Sequence, residues 1–149
     1  MTNPFDLRTI VLAKHAQHVV LIHFPIALFL VGVGFDMAAA RWKNPSLAAA
    51  AYYNLIAASL ATVPALITGL IAWQWALEGR RLKGLLLFHM VGAFTASILI
   101  GIVGWLHFRS GRKPELVLPR YRFAIEILAA GLLMLTAHLG GFLSGVNAG

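Results

Sequence analysis

The sequence predicts an all-α membrane protein, built as an up-down-up-down bundle of four transmembrane helices. The composition and the spacing of the uncharged stretches lead to this prediction. Of the 149 residues, 60% are hydrophobic and 11% are Asp, Glu, Lys or Arg, whereas soluble domains carry about 25% charged residues. Four long stretches contain almost no charge, and crossing a bilayer core of roughly 30 Å takes about 20 helical residues. Each stretch is therefore long enough for one transmembrane helix.

The helix ends are marked by local signals. We place the four spans near residues 19–40, 47–77, 84–108 and 120–144. Asn44-Pro45-Ser46 is typical of a cap followed by Pro in the first turn of the second span. Pro25 and Pro64 lie inside spans, and both are expected to kink their helices. The connections on either side of the second span are short, so neighbouring helices are expected to be antiparallel.

The first 18 residues differ from the rest of the chain. Residues 1–18 mix apolar and charged side chains, which predicts a short helix lying at the membrane interface. Residues 19–146 then form a single transmembrane domain. The net charge of +7 comes from clusters between apolar stretches, which indicates contact with lipid and not with nucleic acid. Five Lys and Arg residues lie on the N-terminal side of the bundle and seven on the other, which favours both termini outside.

Three histidines from three different spans are predicted to lie in one layer. His23 and His89 each lie about five residues into a span, and His138 lies about six residues before the end of a span that runs the opposite way. At roughly 1.5 Å of rise per residue, all three lie about 7–9 Å below the same membrane face. His18, nearer the mouth of this layer, is a fourth.

A layer of imidazoles in a helix bundle is typical of a b-type haem site, since histidine is a common haem ligand and bundles hold cofactors between facing helices. We take His89 as the first axial ligand, His23 or His138 as the second, and His18 as the reserve. Covalent c-type attachment is excluded because the chain has no Cys.

The same end of the bundle carries features that suit a porphyrin. Arg80, Arg81 and Lys83, in the loop between the second and third spans, are expected to neutralise the haem propionates. Gly92, one turn beyond His89, is expected to leave room for the flat macrocycle.

Two other interpretations of the histidines stay open. Each ring could bond to a neighbouring helix, which would make the chain a structural or assembly subunit without a cofactor. Three imidazoles and a water would also bind a metal such as zinc, and a chain of histidines would suit a proton relay, so a small metal or proton transporter is the third interpretation.

Two acidic residues lie within the spans, at the end far from the histidines. Asp36 and Glu126 are expected to pair with Arg41 or Arg122, and Arg122 lies four residues from Glu126, at the spacing of a helical ion pair. His107, near the end of the third span, is expected to be an interfacial residue.

The segment His18-Val-Val-Leu-Ile-His23-Phe24-Pro25, followed by Phe35-Asp36, resembles the opening of the bacterial membrane proteins called domain of unknown function 2231. Phe88-His89-Met90 is similar to the family's third span, and Ala137-His138-Leu139-Gly140-Gly141 is similar to its closing segment. The resemblance covers residues 18–145, which is nearly the whole chain.

The resemblance implies a membrane redox setting, because domains of this family occur beside Rieske and cytochrome c modules. We therefore predict a haem b subunit of a larger respiratory-type complex in the bacterial plasma membrane. It would relay electrons between a quinol pool and a partner redox protein. The sequence contains no nucleophile paired with a base, no paired carboxylates and no nucleotide motif, so we do not expect catalysis by this chain alone.

Overall fold

The structure, a computed structural model, describes residues 14–75, 77–79, 81–112 and 118–144. Five α-helices occupy most of this part, with no strand in it: α1 Lys14–Leu21, α2 His23–Trp42, α3 Pro45–Trp75, α4 Gly84–Arg112 and α5 Arg122–Leu143. The stretches long and apolar enough to cross a membrane are Gln17–Trp42, Pro45–Trp75, Gly84–Gly111 and Arg122–Leu143. The prediction of four transmembrane helices is thus confirmed.

The four long helices pack in a ring. α2 packs on α3, α3 on α4, α4 on α5, and α5 returns to α2. This order places α2 diagonally across the bundle from α4. The short α1 packs mainly on α3. It extends past residue 18, where we predicted the interfacial segment to end. Only residues 14–18 of that predicted segment are described. Residues 1–13 lie outside the described part of the chain.

The break between α1 and α2 follows from a proline. Pro25 has no N–H and its ring would clash with the carbonyl four residues earlier, that of Leu21. α1 ends at Leu21, a turn follows at Ile22, and α2 begins at His23. Pro64, in contrast, lies inside α3, which continues through it.

The connection between α2 and α3 is tight because its residues satisfy the helix ends. Lys43 adopts a left-handed conformation with φ of 51° and donates its N–H to the carbonyl of Ala39. The Asn44 side chain accepts hydrogen bonds from the N–H groups of Ser46 (2.9 Å) and Leu47 (3.2 Å). The predicted cap before Pro45 is therefore present, and it stabilises the start of α3.

The middle of the bundle is closely packed and apolar. Its buried core contains Phe29, Val33, Ala51, Leu55, Ala58, Ile100, Val103 and Ala129. Many large apolar side chains point outward instead, such as Leu60 at 68% exposure and Ile98 at 62%. A soluble protein would not leave so much apolar surface in water, so these side chains form the lipid-facing surface of a multi-pass membrane protein.

The approach of α2 to α3 depends on Gly32. A Cβ atom on Gly32 would lie 2.8 Å from Cδ2 of the fully buried Leu55, whereas a Cβ on Gly34 would meet no atom within 4 Å. We expect Gly32→Val to lower the free energy of unfolding by about 1–3 kcal/mol through overpacking. Gly34→Val is the matched control and is expected to change it little. Unfolding in mixed detergent micelles measures both, and equal stability of the two variants would contradict this account of the packing.

Candidate functional site

A cavity of about 340 Å³ opens at the end of the bundle where α2 and α4 begin and α3 and α5 end. Most of its wall is apolar, and its polar or aromatic lining includes His18, His23, Thr62, Trp73, His89, Ser97 and Thr136. Its volume falls within the range of small-molecule sites, roughly 300–1,000 Å³. The layer predicted from helix depth is therefore a cavity wall, with three of the four histidines on it.

His89 is held in place by α5. Its half-buried ring donates from Nδ1 to the backbone carbonyl of Thr136 over 3.0 Å. A Cβ on Gly140 would lie 3.0 Å from Cε1 of this ring, so the glycine makes space for the imidazole between α4 and α5. Because a carbonyl can only accept, the hydrogen of the neutral ring is on Nδ1 and the lone pair is on Nε2.

His18 is held in a similar way by α3. Its Nδ1 lies 3.3 Å from Oγ1 of Thr68, and that hydroxyl donates its own hydrogen to the carbonyl of Pro64 over 2.8 Å. The hydroxyl therefore accepts from Nδ1–H of the neutral ring. A Cβ on Gly69 would lie 2.9 Å from Cε1 of His18. A glycine on the neighbouring helix again gives the ring its space.

His23 lies at the exposed rim of the cavity, on the first residue of α2. Its Nδ1 donates to the carbonyl of Val19 over 2.6 Å. Val19 lies four residues before His23, one helical turn away, so this contact is local. His23 and His89 thus belong to diagonal helices, and in each neutral ring Nε2 carries the lone pair. Rings oriented by an acceptor at Nδ1 are typical of histidines that bind metal through Nε2.

Thr136 adds a polar group to the cavity and corrects the role predicted for Gly92. A Cβ on Gly92 would lie 2.5 Å from Oγ1 of Thr136. This glycine therefore admits the threonine side chain between α4 and α5, and it does not leave the space beside His89 that we predicted. Oγ1 of Thr136 is buried without a hydrogen-bond partner among the described residues. An unsatisfied buried hydroxyl costs about 1–3 kcal/mol, and a polar group bound in the cavity would reduce that cost.

The other predicted site residues that the structure describes lie outside the cavity wall. His138 is exposed on α5, with its ring edge-on to Phe142 at 5.0 Å between centroids. Arg81 and Lys83 are exposed in the connection that follows α3, at the same end as the cavity. Arg80 lies outside the described residues. Trp73, near the end of α3, also lines the cavity.

A second polar cluster lies at the opposite end of the bundle. Asp36 of α2 and Arg122 of α5 are buried, and the guanidinium donates from Nε to Oδ2 over 2.6 Å and from a terminal nitrogen to Oδ1 over 3.3 Å. The predicted pairing of Asp36 is therefore with Arg122, and Arg41 is exposed. This two-point contact joins the end of α2 to the start of α5. Bidentate hydrogen bonds between a guanidinium and a carboxylate are stronger than hydrogen bonds between neutral groups.

His107 belongs to this cluster, which corrects its predicted interfacial position. The ring is 3% exposed, and its Nε2 lies 3.4 Å from Oε1 of Glu126 and 4.0 Å from Oδ2 of Asp36. The sequence carried a signal for this arrangement. Asp36, His107 and Glu126 each lie four to six residues from a helix end on the same side of the bundle, so the depth argument used for the other histidines also brings these three together.

One comparison with known proteins identifies a family. The family model described as predicted membrane protein (DUF2231) matches residues 14–147. Neither the curated proteins nor the solved structures contain a significant match.

The Asp36–Arg122 pair gives a direct test of the second cluster. Asp36→Asn breaks the charged two-point contact that holds a buried guanidinium, so we expect a loss of about 3–5 kcal/mol in the free energy of unfolding. Arg41→Gln, at an exposed position of the same helix, is the control and is expected to change stability by less than about 0.5 kcal/mol. The double variant Asp36→Leu/Arg122→Met removes both charges and should recover most of the loss. An Asp36→Asn protein as stable as the control would show that the pair contributes nothing.

Proposed function

The chain belongs to the DUF2231 family of predicted membrane proteins, and we propose that it binds b-type haem and relays electrons between a quinol pool and a partner redox protein. The observation that supports this proposal is an apolar cavity between the helices, lined by three imidazoles. Their Nδ1 atoms are engaged by acceptors on the protein.

The donor set fits haem iron. His89 and His23 line the cavity from α4 and α2, which are diagonal in the bundle, so these two residues would hold the iron from opposite helices. His18 is the reserve ligand. His138 is exposed outside the cavity wall, so it is not among the proposed ligands. Bound haem would supply one-electron transfer, and the residues around it would set its orientation and potential.

The surroundings of the histidines suit both the charged propionate edge and the apolar edge of a porphyrin. Leu77, Leu143 and Ser144 extend the cavity to the end of the bundle, where Arg81 and Lys83 are exposed and available to pair with propionates. Deeper in the cavity, apolar side chains such as Ile100 and Leu133 exclude water.

A relay of this kind needs partners. The described helices present an apolar surface to lipid, from which a quinol can reach the cavity mouth, and a separate redox protein would accept the electrons. We propose that the chain is one subunit of a respiratory-type complex in the bacterial plasma membrane. The Lys and Arg count favours both termini outside, which would put the histidine cavity near the outer face.

Absorption spectroscopy tests the haem proposal directly. The protein is expressed with haem supplied and purified in mild detergent, and its reduced-minus-oxidised spectrum and haem content are measured. We expect a b-type spectrum with about one haem per chain. Folded protein without haem would overturn the proposal. Elemental analysis of the same sample would then separate a zinc site from a cofactor-free structural subunit.

Single substitutions test the ligand assignment. His89→Ala is expected to abolish stoichiometric haem binding, because this half-buried ring is the best-anchored ligand. His23→Ala is expected to retain haem with a spectrum altered by the loss of one axial ligand. His138→Ala removes an exposed ring outside the cavity wall and is the matched control, with haem content and spectrum unchanged. Full haem binding by His89→Ala, or loss in His138→Ala, would refute the assignment.

A further inference from the structure

We propose that His107 and Glu126 form a binding site for a single proton, at the end of the bundle opposite the histidine cavity. This inference does not depend on haem, since none of its residues lines the cavity. It rests on the separation of the two side chains, their burial and the charges around them.

The two side chains are enclosed by the protein. His107 is 3% exposed and Glu126 is fully buried at 0%. Nε2 of His107 lies 3.4 Å from Oε1 of Glu126, so a hydrogen on either atom points at the other. The second carboxylate oxygen, Oε2, has no hydrogen-bond partner among the described residues. Glu126 is thus a buried acid for which the protein provides one close contact.

Among the described residues, no cation pairs with Glu126 alone. Asp36 from α2 and Arg122 from α5 engage each other at two points and form a neutral pair. α3 contains no acidic, basic or histidine residue, and its titratable side chains are Tyr52 and Tyr53. The described Lys and Arg residues near this end of the bundle are exposed: Arg41, Lys43, Arg109 and Arg120.

Charge balance then favours a ligand of charge +1, which a single proton supplies. With a neutral His107 and an ionised Glu126, the cluster of four residues carries one uncompensated negative charge, and burying an unpaired carboxylate is strongly unfavourable. Adding a single proton makes the cluster neutral. A divalent metal ion would instead leave an excess positive charge beside the guanidinium of Arg122, whose Nε lies 2.6 Å from the nearest Asp36 oxygen.

The proton has two arrangements within the pair. It lies on Nε2 of His107, which makes an imidazolium beside a carboxylate, or it lies on Glu126, which makes a carboxylic acid beside a neutral imidazole. These arrangements interconvert by transfer across the 3.4 Å contact. Release of the proton to water leaves the cluster with its negative charge, and uptake restores neutrality.

Two spectroscopic signals report where the proton is. Infrared spectroscopy detects a protonated carboxylic acid, and ¹⁵N NMR of labelled histidine distinguishes an imidazolium from a neutral ring. Glu126→Gln and His107→Gln assign the signals, and ¹³C labelling of glutamate identifies the infrared band without any substitution. His138→Gln, which changes an exposed ring, is the control and should leave the signal of the proton in place.

We expect one of the two signals at neutral pH, and we expect it to disappear as the pH is raised while the protein stays folded. Glu126→Gln keeps the shape of the side chain and removes its charge, so it should fold and lose this titration. A neutral His107 beside an ionised Glu126 at neutral pH would overturn the proposal. A signal that persists until the protein unfolds would show that the proton is not exchangeable and would also overturn it. Retention of a stoichiometric divalent metal, lost in Glu126→Gln, would replace the proton with a metal ion.

Discussion

The hydrocarbon core of a membrane offers no hydrogen-bonding groups, and this constraint governs the arrangement of the bundle. A polar side chain within a span is costly unless it finds a partner on the protein, so polar residues help to decide which helix faces meet. Asp36 fixes the end of α2 against Arg122 of α5. At the other end, the ring of His89 fixes α4 against the Thr136 carbonyl of α5, and His18 fixes α1 against Thr68 of α3. Apolar packing in between is less selective, because lipid tails are as apolar as the helix surfaces.

Glycine determines how closely these helices approach. Gly32 brings α2 against Leu55 of α3, while Gly69 and Gly140 accommodate the rings of His18 and His89. The helices therefore pack closely in the middle of the bundle and separate around the imidazoles at one end. An apolar cavity lined by oriented rings is the result, and it is the chemical basis of the proposed haem site.

The two ends of the bundle suit different chemistry because their polar groups differ. The cavity end offers imidazole rings surrounded by apolar side chains, and we propose that lone pairs of these rings bind a metal centre. The other end contains a buried cluster of two acidic side chains, a guanidinium and an imidazole, in which Glu126 is fully buried. A hydrogen-bond acceptor beside a buried imidazole orients that ring toward a ligand. A buried carboxylate without a counter-charge favours the binding of a proton. Electron transfer and proton binding would then occur at separate places in one small protein.

The sequence by itself determined the four spans, their antiparallel order and the layer of histidines, because hydrophobic length and helical rise set these directly. The cap at Asn44 and the pairing of Asp36 with a basic residue could also be predicted from the sequence. Depth along a helix says nothing about rotation around its axis, however. Only the packed structure turned His23 and His89 into the cavity, left His138 exposed, placed Thr136 against Gly92 and buried His107 beside Glu126. The rotation of each helix is set by close contacts with its neighbours, and those contacts exist only once the bundle has formed.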